Sequence, residues 1–135
     1  MVSIKTKYGL SVVFNLAMQP KDSLITIKAL TETCHVPKKY LEQILNALRK
    51  SNIVKSVRGT QGGYTLSRSA NEITVYDIAF CLEQSLLFSE GYNGGSVLEL
   101  CWKDIDLMVK SSFNITIASL IKKHLQSKQY LSFAI

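Results

Sequence analysis

Apolar residues recur every three or four positions along most of this chain, and the places where that rhythm breaks divide it into elements. Ile4, Tyr8, Val12 and Leu16 repeat at i+4, the spacing of one buried helix face, which predicts a first helix over 3–18. The polar run Gln19-Pro20-Lys21-Asp22-Ser23 ends it as a turn with a Pro breaker. Thr26 is placed to cap a short second helix through Cys34, and His35 and Val36 form a brief connection. Pro37 opens a third helix, where its missing N–H is no loss. On that helix Tyr40, Leu41, Ile44, Leu45 and Leu48 keep helical spacing, while Lys38, Lys39, Gln43, Asn46 and Lys50 take the other side. The composition then turns to β type over 53–57 and again over 64–66. The connection Arg58-Gly59-Thr60-Gln61-Gly62-Gly63 is rich in Gly, as a hairpin with positive-φ positions requires.

Thr74-x-x-Asp77 opens a fourth helix through about Gln84, and 85–95 form a loop with Gly91, Gly94 and Gly95. Ser96-x-x-Glu99 has the form of a capping box and starts a long helix. Val97, Cys101, Ile105, Met108 and Val109 share one of its faces, which Leu98 and Trp102 widen. A final helix covers about 116–126. Two short helices joined by a brief turn are a helix-turn-helix, and the hairpin beside them is a wing. The expected fold is therefore mainly α with a small β-hairpin wing: a winged helix-turn-helix domain over 1–84, a loop over 85–95, and a long dimerisation helix with a terminal helix over 96–135. A solitary amphipathic helix after a compact domain wants a partner. A second copy of the chain is expected there, through Val97, Cys101, Trp102, Ile105, Met108 and Val109; the alternative is that the helix packs back on its own domain.

Charge sharpens this picture. Eleven Lys/Arg and three Asp/Glu fall in residues 1–68, and five against seven in 69–135, so the net +6 of the chain sits in its first half. Such a half is the electrostatic footprint expected on a polyanion. Three widely spaced Cys (34, 81 and 101) are no secreted disulfide framework, and a reducing compartment, the cytoplasm, is the simpler expectation. The apolar run over 10–18 is interrupted by Asn15 and followed by no small-x-small cleavage site, so it reads as a helix rather than a signal peptide. No stretch approaches the roughly 20 apolar residues of a membrane span. The wing glycines lack the Gly-Lys-Ser/Thr ending of a phosphate loop. Two His and dispersed acids leave no catalytic constellation, so no enzyme is expected.

Double-stranded DNA is the expected partner. Lys38, Lys39, Tyr40 and Gln43 lie in the first two turns of the third helix, where base edges come within reach of a helix in the major groove. Gln pairs with adenine, Lys supplies charge, and the Tyr40 ring belongs to the core while its hydroxyl is open to a phosphate. Glu42 is expected to pair with Lys38 or Lys39, or to accept from a cytosine amino group. Arg58 at the hairpin tip, flanked by Ser56 and Gly59, has no core role and suits a narrow minor groove. Lys5, Lys7, Arg49 and Lys55 are candidate phosphate contacts.

The chain resembles the Rrf2 family of bacterial winged helix-turn-helix transcription regulators. The residues that carry the resemblance are Lys7-Tyr8-Gly9-Leu10, Tyr40-Leu41-Glu42-Gln43-Ile44-Leu45, and Ser56-Val57-Arg58-Gly59 with Gly62-Gly63-Tyr64-x-Leu66. Glu72-Ile73-Thr74-x-x-Asp77-Ile78, Leu82-Glu83, Trp102 and Asn114-Ile115-Thr116-Ile117 complete it. The resemblance implies a homodimer through the long helix and operator binding by the third helix and the wing; a repressor is the expected mode of action. Iron–sulfur members of that family carry three closely spaced Cys in the loop before the long helix. Here that loop has none, so no cofactor, no iron–sulfur cluster and no metal ligand set is expected. The chain is similar to the cluster-free members, which include cysteine-metabolism regulators of some Gram-positive bacteria and which act with a regulatory protein partner or through a thiol. Cys101 is the candidate redox thiol, with packing as its plainer role. Two alternatives stay open: an interaction protein with weak DNA binding, and a sensor that uses Cys34, Cys81 or Cys101 in an unusual set.

Overall fold

Ser3 starts the first helix by accepting the Thr6 N–H at its side chain, 3.4 Å. From there the chain forms α1 (Ile4–Ala17), α2 (Ile27–Cys34), α3 (Lys38–Lys50), β1 (Val54–Val57), β2 (Gly63–Leu66), α4 (Val75–Leu82), α5 (Ser96–Ser112) and α6 (Ile117–Ala134). This computed structural model describes the backbone of residues 1–134 and side chains as far as Gln129. Helices and a two-stranded wing are thus the fold that the hydrophobic pattern predicts.

Local chemistry explains the element ends. Thr26 accepts from the Ala29 N–H and caps α2. His35 ends α2 with a φ of 56°, and that left-handed residue turns the chain toward α3. Pro37 sits one place earlier than expected, as the cap of α3: its carbonyl accepts the N–H groups of Tyr40 and Leu41, each at 3.0 Å. Thr74 and Asp77 form a complete capping box on α4.

The box expected at Ser96 and Glu99 does not form. Gly95, with a φ of 112°, takes the cap position, so Ser96 is already the first helical residue and its hydroxyl caps nothing. Glu99 instead pairs with Lys103 one turn on, at 3.2 Å.

The core joins α1, α2, α3 and α4. Val12, Val13, Leu30, Leu41, Ile44, Leu45, Leu48, Ile53, Ile73 and Ile78 are all buried. Gly9 sets how closely α1 and α4 cross, because a Cβ there would overlap Leu82 Cδ1. Tyr40 departs from the expected core face. It is 43% exposed at the first turn of α3, with its ring 6.2 Å from that of Tyr8.

Two long-range pairings tie the elements together. Ile25 adds a third edge to the hairpin by exchanging backbone hydrogen bonds with Tyr64, at 2.9 and 2.8 Å. Gly63 permits that approach, since a Cβ there would lie 2.7 Å from the Ile25 carbonyl oxygen. Thr116 pairs with Thr74, and the N–H groups of Ile117 and Ala118 reach the carbonyls of Ile73 and Ala70 at 2.9 and 3.0 Å. Ile117 is consequently buried among residues of the first domain, and the His124 ring meets Phe14 edge-on at 5.7 Å. The last helix runs on to Ala134, past the expected end near 126, because no Gly or Pro follows Gly95. It belongs to the core of residues 1–84 as well as to the segment 96–135.

Glu83 locks the start of α1 to the end of α4. Its Oε1 accepts the Ser3 N–H at 2.7 Å and the Thr6 hydroxyl at 2.8 Å. The Ser3 N–H above all holds this carboxyl below the usual glutamate range, and the helix N-terminus it faces favours the anion.

Ile117→Ala should lower the unfolding free energy by about 2–4 kcal/mol, the usual cost of emptying a buried Ile site, read from the urea midpoint. An unchanged midpoint would mean that α6 contributes nothing to the core. Because Glu83 is depressed in the folded protein, its stabilisation is complete above the unfolded pKa and disappears as pH falls through the folded one. Glu83→Gln should therefore melt lower than the parent protein at pH 7, and the difference should shrink below about pH 4.

Candidate nucleic-acid interface

One side of α3 is used up by the core, and this decides what the other side presents. Leu41, Ile44, Leu45 and Leu48 are buried. Lys38, Lys39, Glu42, Gln43, Asn46, Arg49 and Lys50 are exposed. The Lys39 ammonium lies 6.0 Å from the centroid of the neighbouring Tyr40 ring. Glu42 makes no ion pair with Lys38 or Lys39 among the described residues, so its expected pairing does not form. The Arg49 guanidinium donates to Asn46 Oδ1 at 2.9 Å, which fixes its direction in the last turn of the helix. Sequence reasoning placed Asn46 on the polar face without seeing this positioning role; the i, i+3 spacing of Asn and Arg was the available signal.

The wing presents Lys55, Ser56, Arg58 and Gly59 to solvent. Its turn closes with the Gly62 N–H on the Gly59 carbonyl at 3.0 Å. A Cβ on Gly62 would overlap the Val57 carbonyl oxygen, so this position demands Gly and keeps the tip tight around Arg58. On α1, Lys7 is exposed and Lys5 is half-buried.

The long helix α5 contrasts with this basic surface. None of its residues is buried, and no other element packs extensively along it. Its outer side carries Val97 at 77% exposure, Leu100, Cys101, Leu107 at 66%, and Met108. Ile105 and Val109, expected on the same face, are half-buried at its edge, where it turns toward Trp102 and Phe113. Leu100 and Leu107 went unnoticed in the sequence, because apolar residues occupy both sides of this helix.

The loop 85–95 is tied to α5 by a carboxylate. Asp106 accepts the Phe88 N–H at 2.6 Å, the Ser89 N–H at 3.3 Å and the Ser89 hydroxyl at 2.5 Å. The Ser89 hydroxyl and these N–H groups hold the Asp106 carboxyl below its ordinary range.

The three thiols lie on three different helices. Cys34 on α2 is half-buried, and burial pushes its thiol up. Cys81 on α4 lies 3.4 Å from the Ala47 carbonyl and receives the Ser51 hydroxyl. Cys101 is exposed on α5. Among the described residues no three His, Cys, Asp or Glu side chains gather where they could hold a metal ion, and no helix is long and apolar enough to cross a membrane.

The comparisons with known proteins agree with this anatomy. The profile of the Rrf2 family, described as an iron-dependent transcriptional regulator, matches residues 2–123. The regulator IscR of Yersinia pestis is 30% identical over 125 residues, 87% of this chain and 76% of its own length. The structure of CymR, the global cysteine regulator of Bacillus subtilis, superposes with a TM-score of 0.77 at 30% identity, covering 91% of this chain and 97% of that one. The structure of IscR from T. potens gives a TM-score of 0.75 at 34% identity, over 92% of this chain and 88% of the other. Among the described residues the iron in the family description finds no matching donors. The loop 85–95 contains neither Cys nor His, and the three thiols of the chain do not converge. By fold, by motif and by kinship over nearly its whole length, the chain belongs to the Rrf2 family of transcriptional regulators and is not an enzyme.

Proposed function

We propose that this regulator acts in the cytoplasm as a homodimeric repressor that occupies a pseudo-palindromic operator and excludes polymerase. The observation that carries the reading is the two-sided α3, whose buried stripe leaves Lys38, Lys39, Gln43 and Arg49 outward beside a wing that holds Arg58 at its tip. In this reading α3 enters the major groove. Gln43 reads a base edge, and Lys38 and Lys39 serve guanine or phosphate. The Tyr40 hydroxyl, on an already exposed ring, takes a phosphate. Arg58 enters the neighbouring minor groove, where narrowness concentrates negative potential, with Ser56 and Gly59 against the backbone. Lys5, Lys7, Arg49 and Lys55 bind phosphates without regard to sequence.

The outer apolar side of α5 supports dimerisation. Packing two copies along Val97, Leu100, Cys101, Leu107 and Met108 removes apolar surface that a single chain leaves in water. A dimer reading an operator needs its two recognition helices about one DNA turn, roughly 34 Å, apart, and α5 is where that spacing would be set. Since the donor set does not suit an iron–sulfur cluster, control falls to a protein partner, a small ligand or the Cys101 thiol.

Genomic fragments retained by the protein at near-physiological salt supply the probe for binding tests. Arg58→Ala should weaken binding to them by about ten- to a hundredfold, and Lys55→Ala should reduce the slope of log affinity against log salt by about one without changing site preference. Fluorescence anisotropy reads both; full affinity in the Arg58 variant would sink the wing contact. Leu107→Glu should give a monomer in sedimentation velocity, with helix content kept and tight operator binding lost. A monomer that still binds with parental affinity would overturn the dimeric reading.

A further inference from the structure

A cavity of about 420 Å³ lies outside the DNA-facing surface, between the N-terminal segment, the chain just beyond α4 and the body-facing side of α5. Met1 and Val2 form one wall, Leu86, Leu87 and Phe88 a second, and Val109 and Phe113 the third. Its size and largely apolar lining are those of small-molecule sites, which add a few polar groups to fix orientation. The only ionisable side chain in the lining is Glu83.

Glu83 is half-committed. Both of its hydrogen bonds, from the Ser3 N–H and the Thr6 hydroxyl, end on Oε1. No donor reaches Oε2 among the described residues, and no ion pair forms with this carboxylate. A carboxylate oxygen beside apolar walls has lost part of its hydration and gains most from a charge-assisted donor. The α-amino group of Met1 is the nearby cation, and it stays beyond ion-pair distance.

The walls are already in place. The Asp106 carboxylate holds the backbone at Phe88 and Ser89, and the Leu87 N–H donates to the Ser85 hydroxyl at 3.2 Å. Phe88 remains 53% exposed and Leu87 37%, so the apolar wall has surface left to cover. A ligand that fits must therefore bring an apolar body for the Leu86–Phe88, Val109 and Phe113 walls and one cationic donor for Glu83 Oε2.

We infer that this cavity is a binding site for a small amphipathic monocation, a primary amine carried on an apolar or aromatic body. The site stands apart from the DNA-reading surface, and its test does not depend on that reading. The apolar walls supply affinity for the body, and Glu83 selects its charge. An anion of the same shape is rejected because it would face the carboxylate without a donor between them.

Three probes of one shape decide the matter on the unaltered protein at pH 7: 2-phenylethylamine, 2-phenylethanol and phenylacetate, each titrated calorimetrically. The amine should bind at least tenfold more tightly than the alcohol, and the acid should bind weakest. Glu83→Gln keeps a side-chain oxygen for Ser3 and Thr6 and should bring the amine down to the level of the alcohol. Phe88→Ala, at an exposed residue whose loss should leave the fold intact, should weaken the amine and the alcohol alike. No binding by the amine, equal binding of the three probes, or an amine preference that survives Glu83→Gln would each overturn the assignment. So would unchanged amine binding in the Phe88 variant.

Discussion

The whole polar face of α3 depends on the burial of four residues. Leu41, Ile44, Leu45 and Leu48 bring α3 against the rest of the core with no measurable exposure. Each such side chain contributes about 1.5–3 kcal/mol by leaving water. More important than the sum is the rotation it fixes. With that stripe inward, most remaining positions of α3 face solvent, and the sequence fills them chiefly with lysine, arginine and amides, with Glu42 as the one acid. A basic helix with no buried stripe would be as charged but would not hold one azimuth against a groove.

The wing and the long helix are held by contacts of a different kind. A single backbone exchange between Ile25 and Tyr64 fastens the hairpin to the chain that leads into α2. The direction of Arg58 is thereby linked to the helix-turn-helix through backbone hydrogen bonds as well as through Val54, Tyr64 and Leu66, which the wing packs into the core. Farther on, two carboxylates act as fasteners at neighbouring places. Glu83 holds the beginning of α1, and Asp106 holds the loop that follows α4. Here backbone N–H groups and one serine hydroxyl meet a carboxylate, which needs neither metal nor a particular redox state.

Local pattern made much of this molecule readable. The four-residue stripe of α3, the Gly-rich turn around Arg58 and the Thr74–Asp77 box each lie within a dozen residues, and each is written in a spacing that chemistry explains. What stayed hidden was non-local or ambiguous. The Ile25–Tyr64 and Thr74–Thr116 pairings join single residues across long intervals, and one residue pair has no period to detect. The α5 stripe misled for another reason. Apolar residues cover more than half of that helix, so spacing alone could not tell half-buried Ile105 and Val109 from exposed Leu100 and Leu107. Ser96 and Glu99 matched a motif whose geometry Gly95 had already pre-empted. For the basic residues of α3 and the wing, the structure supplied exposure and orientation, while the kind of partner came from charge and kinship.

The return of the chain at Thr116 gives α5 an unusual standing. It leaves the core after α4 and comes back to pair with the residue that caps the same helix. An eight-residue helix is about 12 Å long, so the two stems of this excursion lie close together. A segment anchored at both ends in this way behaves as an insertion. Cutting the chain once in the glycine-rich stretch near Gly94 would not free the distal piece, because Ile117 and its backbone partners would still dock it on the core. The seat of α6 on the core therefore rests on Thr116, Ile117 and Ala118 rather than on the continuity of the chain through α5.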